Sequence, residues 1–219
     1  MFILTQEQFA DNGRENVEEF INFWNNYYLP INEQGQQINE AIDYLVQLNI
    51  GHQLTAQNVI ELLRWKLPRF YTHPQKRSGL PNTKVVRIIH AIKKLNHFRQ
   101  AELVTEPVAD EFRKTAQKLV PTEGTIQFFL FHICRPWQYP IADKNVFRVF
   151  YRLIHNQRND AVTWEIYSNG YINFFKELAQ EYGVDGNHIS VEYVQQLKII
   201  DNALMSFGRF LGKYDRQLH

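Results

Sequence analysis

With 219 residues, 44% of them hydrophobic and 14% aromatic, the chain can bury the core of one substantial domain or of two small lobes, which excludes a disordered protein. The single cysteine, Cys134, excludes a disulfide framework, a cysteine-rich zinc site and an iron–sulfur cluster, and its apolar surroundings predict a buried thiol. The net charge is only +1, and neither an apolar run of about 18 residues nor a leader-like N-terminus is present, so we expect a cytoplasmic protein without a membrane partner.

The first third of the chain carries helix signals. We expect helices across Asn16–Leu29 and Gln36–Leu48. Thr55 is a favourable N-cap for a third helix, which must end before Pro68 because proline cannot continue a helix. The segment Pro68–Pro81 is predicted to be a long, basic, irregular loop.

The middle of the chain continues the same pattern. Asn82 is expected to cap a helix whose apolar residues form one stripe at helical spacing. These residues are Val85, Ile88, Ile89, Ile92 and Leu95. His90 on this helix is interpreted as a core histidine. Thr105 begins a further helix that runs to Val120.

Helix signals also dominate the C-terminal half. An almost wholly apolar helix of about three turns follows Gly124, and Asp143 opens the next one. Two more helices are expected across Thr163–Tyr182 and Ser190–Leu211. Because no window alternates with a period of two, the chain is predicted to be all-α.

Charge is segregated along the sequence. Residues 62–101 contain ten Lys and Arg and no acid, while residues 124–159 contain five bases and one acid, Asp143. The flanking segments are acidic; residues 1–61 contain nine acids and one Arg. Such blocks are often solvated helix faces, but two long stretches with no acid or a single acid favour a nucleic-acid-binding surface.

The segment from Val120 to Leu153 carries the most specific pattern. It contains a hydrophobic-Pro-x-x-Gly turn at Pro121 and Gly124, the apolar helix, a proline-bounded loop, and the run Asp-x-x-Val-x-Arg-Val from Asp143. This order resembles the helix-hairpin-helix DNA glycosylase superfamily. The resemblance implies a two-lobed helical endonuclease III-like fold with a degenerate hairpin. One lobe would be 32–140, and 1–31 with 141–219 would form the other.

The same resemblance implies an activity. Asp143 would be the catalytic carboxylate that faces the sugar of an extruded nucleotide, and Gly124 would bring backbone N–H groups to a phosphate. Thr122 and Glu123 depart from the family's Gly-hydrophobic pair in the hairpin. Ile126 stands where bifunctional members have a Schiff-base lysine, so the expected activity is base hydrolysis without strand cleavage.

Further residues are assigned to the substrate and to DNA. Stacking and edge hydrogen bonds to a flipped base are expected from Arg135, Trp137, Gln138 and Tyr139. The resemblance further implies that Lys66 fills the gap that the extruded base leaves in the duplex. Contacts to backbone phosphates are expected from a set of cations: Arg64, Arg69, Lys76, Arg77, Lys84, Lys144, Arg148 and Arg152. No metal and no cofactor are expected, and the partner is double-stranded DNA bound by a monomer.

Two other interpretations remain open. Asp143 is also an ordinary N-cap residue, so the chain is alternatively a non-catalytic member of this fold that binds nucleic acid or a protein. An unrelated helical interaction protein is the third possibility. The proposed topology makes one structural prediction, namely that Asn16–Leu29 packs against the helices of Thr163–Tyr182 and Ser190–Leu211.

Overall fold

The computed structural model describes residues 16–28, 40–66, 82–121, 124–184 and 189–214. Every regular element in these ranges is helical, which confirms the all-α class. The helices of the N-terminal half are α1 Val17–Asn26, α2 Glu40–Leu48, α3 Ala56–Lys66, α4 Asn82–His90, α5 Ile92–Gln100 and α6 Glu106–Leu119. Those of the C-terminal half are α7 Gly124–Cys134, α8 Lys144–His155, α9 Trp164–Ile166, a π-helical turn Tyr167–Tyr171, α10 Ile172–Glu181 and α11 Val191–Tyr214.

Helix α4 ends earlier than its apolar stripe predicts. The N–H of Ala91 donates to both Arg87 O (3.1 Å) and Ile88 O (3.0 Å), so the α-helical hydrogen-bond pattern tightens there and α5 starts anew. Asn82 is the first residue of α4 rather than the residue before it. His90 is exposed, so its interpretation as a core histidine was wrong.

The chain divides into two units. The first unit comprises Met1–Leu29, Trp137–His188 and Glu192–His219, and the second comprises Pro30–Pro136 with Ile189–Val191. The lobes implied by the resemblance, 32–140 with a degenerate hairpin and 1–31 with 141–219, remain predictions.

The core of the first unit is aromatic. On α1, Phe20 meets Phe207 of α11 edge to face at a centroid distance of 5.2 Å, and Trp24 lies 4.9 Å from the same ring. The Tyr182 hydroxyl, just after α10, donates to Asn22 Oδ1 over 2.7 Å. Helix α1 therefore packs against α10 and α11, as predicted from the amphipathic pattern and the expected topology.

The second unit is built around two features. The rings of Phe98, Phe112 and Phe131 form one cluster, with Phe98 and Phe112 stacked at 3.9 Å. Arg99 is only 5% exposed and donates to the backbone carbonyls of five residues. These residues are Leu48, Asn49, His52, Ile133 and Cys134. One guanidinium thus satisfies carbonyls at the C-terminal ends of α2 and α7, which otherwise lack intrahelical partners.

Candidate functional site

Asp143 is the N-cap of α8. Its backbone is extended (φ −152°, ψ 176°), and its Oδ1 accepts hydrogen bonds from Asn145 N (2.8 Å) and Val146 N (3.3 Å). The residue is half-buried. The helix dipole favours negative charge at this end of a helix. The sequence prediction that Asp143 opens this helix is confirmed, and its position fits both a capping and a chemical role.

The loop before Asp143 is fixed by two tyrosines of the π-helical turn. The Tyr167 hydroxyl donates to Pro140 O over 2.9 Å, and the Tyr171 hydroxyl donates to Ile141 O over 3.3 Å. Both tyrosine side chains are completely buried. A π-helical turn inserts one extra residue into a helix and commonly lies at functional sites. Here it brings two hydroxyls to successive carbonyls and so holds the approach to Asp143.

The electrostatics around Tyr171 connect this loop to α11. Burial raises the pKa of Tyr171 well above its usual value, and the negative charges of Asp201 and Asp143 raise this pKa further. Asp201 is 4% exposed and pairs through Oδ2 with Lys198 Nζ at 2.8 Å. Its other oxygen, Oδ1, is buried and has no hydrogen-bond partner among the residues that the structure describes. Two carboxylates therefore act on one buried hydroxyl.

The loop residues predicted to hold a flipped base differ in exposure. Trp137 and Gln138 are half-buried, while Tyr139 is buried. The charge of Tyr139 adds to burial in raising the pKa of Tyr167, so Tyr139 lies near the tyrosines that hold the loop. All three residues belong to the first unit, as does Asp143. Base binding by these side chains remains a prediction.

Arg135 lies in the second unit and is only 4% exposed. Its Nη1 donates to Phe98 O, Arg99 O and Ala101 O at 3.2, 3.0 and 2.6 Å. These carbonyls belong to the C-terminal end of α5, so the guanidinium caps a helix. This placement gives Arg135 a structural task and removes much of its donor capacity from any ligand.

The remaining predicted residues of the second unit lie on α3, α4 and α7. Arg64 is exposed and pairs with Glu61 at 2.7 Å, one helical turn away. The Lys66 ammonium lies 5.9 Å from the centroid of the Phe129 ring. Lys84 is half-buried on α4, and Gly124 is the exposed first residue of α7. Their contacts with DNA remain predictions.

Some predicted positions lie outside the described residues. They are Arg69, Lys76 and Arg77 in the predicted basic loop, together with Thr122 and Glu123 of the hairpin. Ile126, which stands at the lysine position of the resemblance, is described and is 3% exposed in α7.

The three cations predicted on α8 have different surroundings. Lys144 is exposed and Arg152 is half-buried. Arg148 is held by Asp160, whose Oδ2 accepts from Arg148 Nη2 over 2.7 Å. Its Nη1 donates to Gly208 O (3.0 Å), which joins α8 to α11. The sequence analysis placed all three cations at phosphate and did not predict the ion pair of Arg148 with Asp160.

Sequence reasoning missed several polar residues. The missed residues are Lys198 and Asp201 in the buried pair, Tyr167 and Tyr171 in the π-helical turn, and Arg158 and Asp160 after α8. Asn159 with Asp160 is a turn signal, but it does not show that Asp160 faces Arg148. Lys198 and Asp201 are three residues apart on α11, but the sequence does not show that the pair is buried. The hydrogen-bond partners of both tyrosines depend on packing between distant segments.

Comparison with protein-family models, curated proteins and solved structures gives no match for this chain. In the part of the chain that the structure describes, no three His, Cys, Asp or Glu side chains are grouped as they would be around a metal ion. None of the helices described is both long and apolar enough to cross a bilayer.

Proposed function

We propose that the chain binds double-stranded DNA and hydrolyses the N-glycosidic bond of an extruded base, with Asp143 as the catalytic carboxylate. The observation that carries this proposal is the placement of Asp143, which is half-buried, held at a helix N-terminus, and preceded by a loop anchored by Tyr167 and Tyr171. A carboxylate held in one place suits a reaction in which positive charge develops at a fixed position.

The chemistry needs one carboxylate and one water. As the C1′–N bond breaks, the base leaves with the bonding electrons, and an oxocarbenium-like charge develops on the sugar. Asp143 stabilises that charge and accepts a proton from the water that attacks C1′. A preorganised group of this kind contributes about 3–4 kcal/mol to lowering the barrier. With Ile126 at the lyase-lysine position, the product is an abasic site in an intact strand.

The proposed DNA contacts are narrower than the sequence suggested. On the first unit they are Lys144 and Arg152, and on the second unit they are Arg64, Lys66 and Lys84. Arg135 is omitted because its burial and its hydrogen bonds to the end of α5 leave it little capacity for a base. Trp137 and Gln138 remain the proposed stacking and edge-recognition residues.

The first experiment uses Asp143→Asn. Asparagine caps a helix about as well as aspartate, so this change removes the negative charge and preserves the fold. The protein is incubated with duplex oligonucleotides carrying a panel of damaged or modified bases, and hot alkali then reveals abasic sites. We expect product from the wild type, none from Asp143→Asn, and unchanged melting temperatures. Asp110→Asn, at a partly exposed acid paired with Arg113, is the matched control and should retain activity.

Two results would contradict this mechanism. The first is full activity of Asp143→Asn, which would reduce the carboxylate to a cap. The second is a borohydride-trapped covalent complex between wild-type protein and DNA, because this would require an amine nucleophile.

A non-catalytic DNA-binding module is the second candidate. It is favoured by the two backbone N–H bonds to Asp143 Oδ1, which an N-cap makes without any chemistry. Release of no base from the panel, together with salt-sensitive DNA binding, would select this candidate. Each neutralised phosphate contributes about 0.9 to the log–log salt slope, so reversing Lys84, Lys144 and Arg152 should flatten it by roughly two to three units. A slope unchanged by this triple reversal would remove DNA binding through these residues.

A further inference from the structure

A small polar recess lies in the first unit, beyond the C-terminal end of α8. It has a volume of about 260 Å³ and is lined by Arg148, Arg158, Asn159, Asp160 and Gly212. Pockets for drug-sized ligands are usually about 300–1,000 Å³ and largely apolar. This recess is smaller and is lined by two guanidiniums, an amide and a carboxylate. Its size and composition therefore suit a single charged group.

The Arg148 guanidinium is held in place before any ligand arrives. Its Nη1 donates to Asn145 Oδ1 (3.2 Å) and Gly208 O (3.0 Å), and its side chain is only 16% exposed. Gly212 makes room for it, since a Cβ at that position would lie 2.3 Å from Arg148 Nη1. A fixed guanidinium loses little conformational entropy when it binds an oxyanion.

The Asp160 carboxylate already occupies the outer edge of this guanidinium. Its Oδ2 lies 2.7 Å from Arg148 Nη2, and its side chain is 49% exposed. A half-exposed ion pair contributes about 0–1 kcal/mol, so little free energy opposes its replacement by another oxyanion. The position of Asp160 therefore shows that this edge of the Arg148 guanidinium binds an oxyanion.

The other donors of the recess complete the site. Arg158 is exposed, and its guanidinium makes no ion pair or hydrogen bond with the residues described. Asn159 uses its Oδ1 to accept from Ala161 N (3.0 Å), which leaves the side-chain NH₂ to donate. Two guanidiniums and an amide offer more donors than the two oxygens of a carboxylate can accept. Their charge of +2 matches a phosphate dianion once Asp160 is displaced.

We infer that this recess binds a phosphate group, with Arg148 and Arg158 as its cationic ligands and Asp160 as an internal competitor. The group is a free phosphate or phosphomonoester, whose dianion matches the two guanidiniums; a backbone phosphate of nucleic acid, a monoanion with two non-bridging oxygens, is the other source of the same oxyanion chemistry. The inference does not depend on base excision by Asp143.

The test measures binding of inorganic phosphate by titration calorimetry at constant ionic strength. Arg158→Ala should weaken binding roughly tenfold or more, because one charge-assisted hydrogen bond is lost. Asp160→Asn should tighten binding roughly fivefold, because the competing charge is removed. Lys176→Ala removes an exposed cation of α10 outside the recess and should leave the affinity unchanged. Melting temperatures establish that all variants fold.

Two results would overturn the inference. One is the absence of phosphate binding to both the wild type and Asp160→Asn at concentrations on the order of 10 mM, well above the Kd of a millimolar site. The other is equal affinity of Arg158→Ala and the wild type.

A labelled duplex without terminal phosphates separates the two sources. Displacement of the duplex by inorganic phosphate, together with weaker duplex binding by Arg158→Ala, would assign the recess to backbone phosphate. Phosphate binding that leaves the duplex bound would assign it to a free phosphate group. Because base release is measured separately, failure of this site and failure of Asp143 as a catalyst are distinguishable.

Discussion

Two pairs of arginines show how differently the same side chain is used in the two units. Arg99 and Arg135 in the second unit are 5% and 4% exposed, and both donate to backbone carbonyls near helix ends. Arg148 and Arg158 in the first unit line an open recess, and Arg148 faces a carboxylate. Burial and carbonyl partners make the first pair structural, whereas the second pair retains surface through which an anion can bind.

The comparison corrects the interpretation of the basic blocks. Arg99 falls in the first block, residues 62–101, and Arg135 in the second, residues 124–159. A count of charges along the sequence does not distinguish these two buried arginines from the exposed Lys93, Lys94 and Lys144. Burial lowers the pKa of Arg99, which is the cost of placing a cation in the interior. Part of the positive charge in both blocks is therefore unavailable to DNA.

The largest expected effect tests the structural role of the buried pair. Arg99→Met keeps an unbranched apolar stem but leaves carbonyls at the ends of α2 and α7 without their donor. We expect a loss of about 3–5 kcal/mol in the free energy of unfolding, measured by chemical denaturation. Arg87→Met on the exposed face of α4 is the control and should change stability by less than about 0.5 kcal/mol. Equal effects of the two substitutions would contradict the comparison.

Substitution of Gly208 tests how Arg148, one of the two arginines that line the recess, is held in place. A Cβ on Gly208 would lie 2.1 Å from Asn145 O, so Gly208→Ala must push α8 away from α11 and disturb the carbonyl that Arg148 uses. We expect a loss of about 1–3 kcal/mol by thermal or chemical denaturation. Gly124 has nothing within 4 Å of its Cβ position, so Gly124→Ala should change stability by less than about 0.5 kcal/mol. Stability of Gly208→Ala equal to that of the wild type would show that the helices do not approach so closely.

Gly124→Ala also tests the proposed hairpin. If backbone N–H groups near Gly124 approach a phosphate, the added methyl group should weaken DNA binding while stability is preserved. Unchanged DNA affinity would remove Gly124 from the interface.

Stability at alkaline pH distinguishes the two units, because the second unit buries the Cys134 thiol and the first buries the Tyr167 and Tyr171 hydroxyls. Burial raises the pKa of the Cys134 thiol above its usual 9.0, although Arg99 and Arg135 oppose this rise. Burial likewise raises the pKa of Tyr167 and Tyr171 above 10.0. Stability from these groups is fully present below the unfolded pKa values. It should fall by about 1.4 kcal/mol per pH unit for each group as pH rises above about 9 for the thiol and about 10 for the tyrosines.

Two variants identify which groups cause the loss of stability that begins near pH 9 and the loss that begins near pH 10. Cys134→Ala should remove the phase that begins near pH 9, and the double variant Tyr167→Phe, Tyr171→Phe should remove the phase that begins near pH 10. Stability that rises over this range would mean that the sign of these pKa shifts is wrong.

The smallest expected effect concerns Arg158. Since it is exposed and makes no described hydrogen bond, Arg158→Met should change the free energy of unfolding by less than about 0.5 kcal/mol. The result is to be compared with that of Arg99→Met, because the same substitution should lower the free energy of unfolding in the second unit and leave it unchanged in the first. A destabilisation above about 2 kcal/mol would show that Arg158 supports the fold and is not reserved for a ligand.

Much of the fold follows from local sequence. Proline at the start of α6, Asp143 before α8 and the amphipathic pattern of α1 are short-range signals, and each gave a helix close to its observed position. The break at Ala91 carries no such signal, because alanine is a good helix former.

Less of the candidate site than of the fold could be predicted from the sequence. The position of Asp143 as a cap was predictable, because capping depends on the next three residues. The partners of Arg99 lie 34 to 51 residues away along the chain, and Arg148 reaches Gly208 across 60 residues. Burial set by such distant segments decides which cations are structural, and charge counts contain no information about it.

The π-helical turn has a consequence for how this chain tolerates insertions and deletions. Because each α-helical residue turns the chain by about 100°, removing one residue between Tyr167 and Tyr171 would regularise the helix but rotate one tyrosine away from its carbonyl. Gly170 adds a spatial restriction, since a Cβ there would lie 3.0 Å from the Phe150 ring. The five-residue length of the turn, with a tyrosine at each end, is thus a length constraint, and a homologue that keeps both hydroxyls on the loop before Asp143 must keep it.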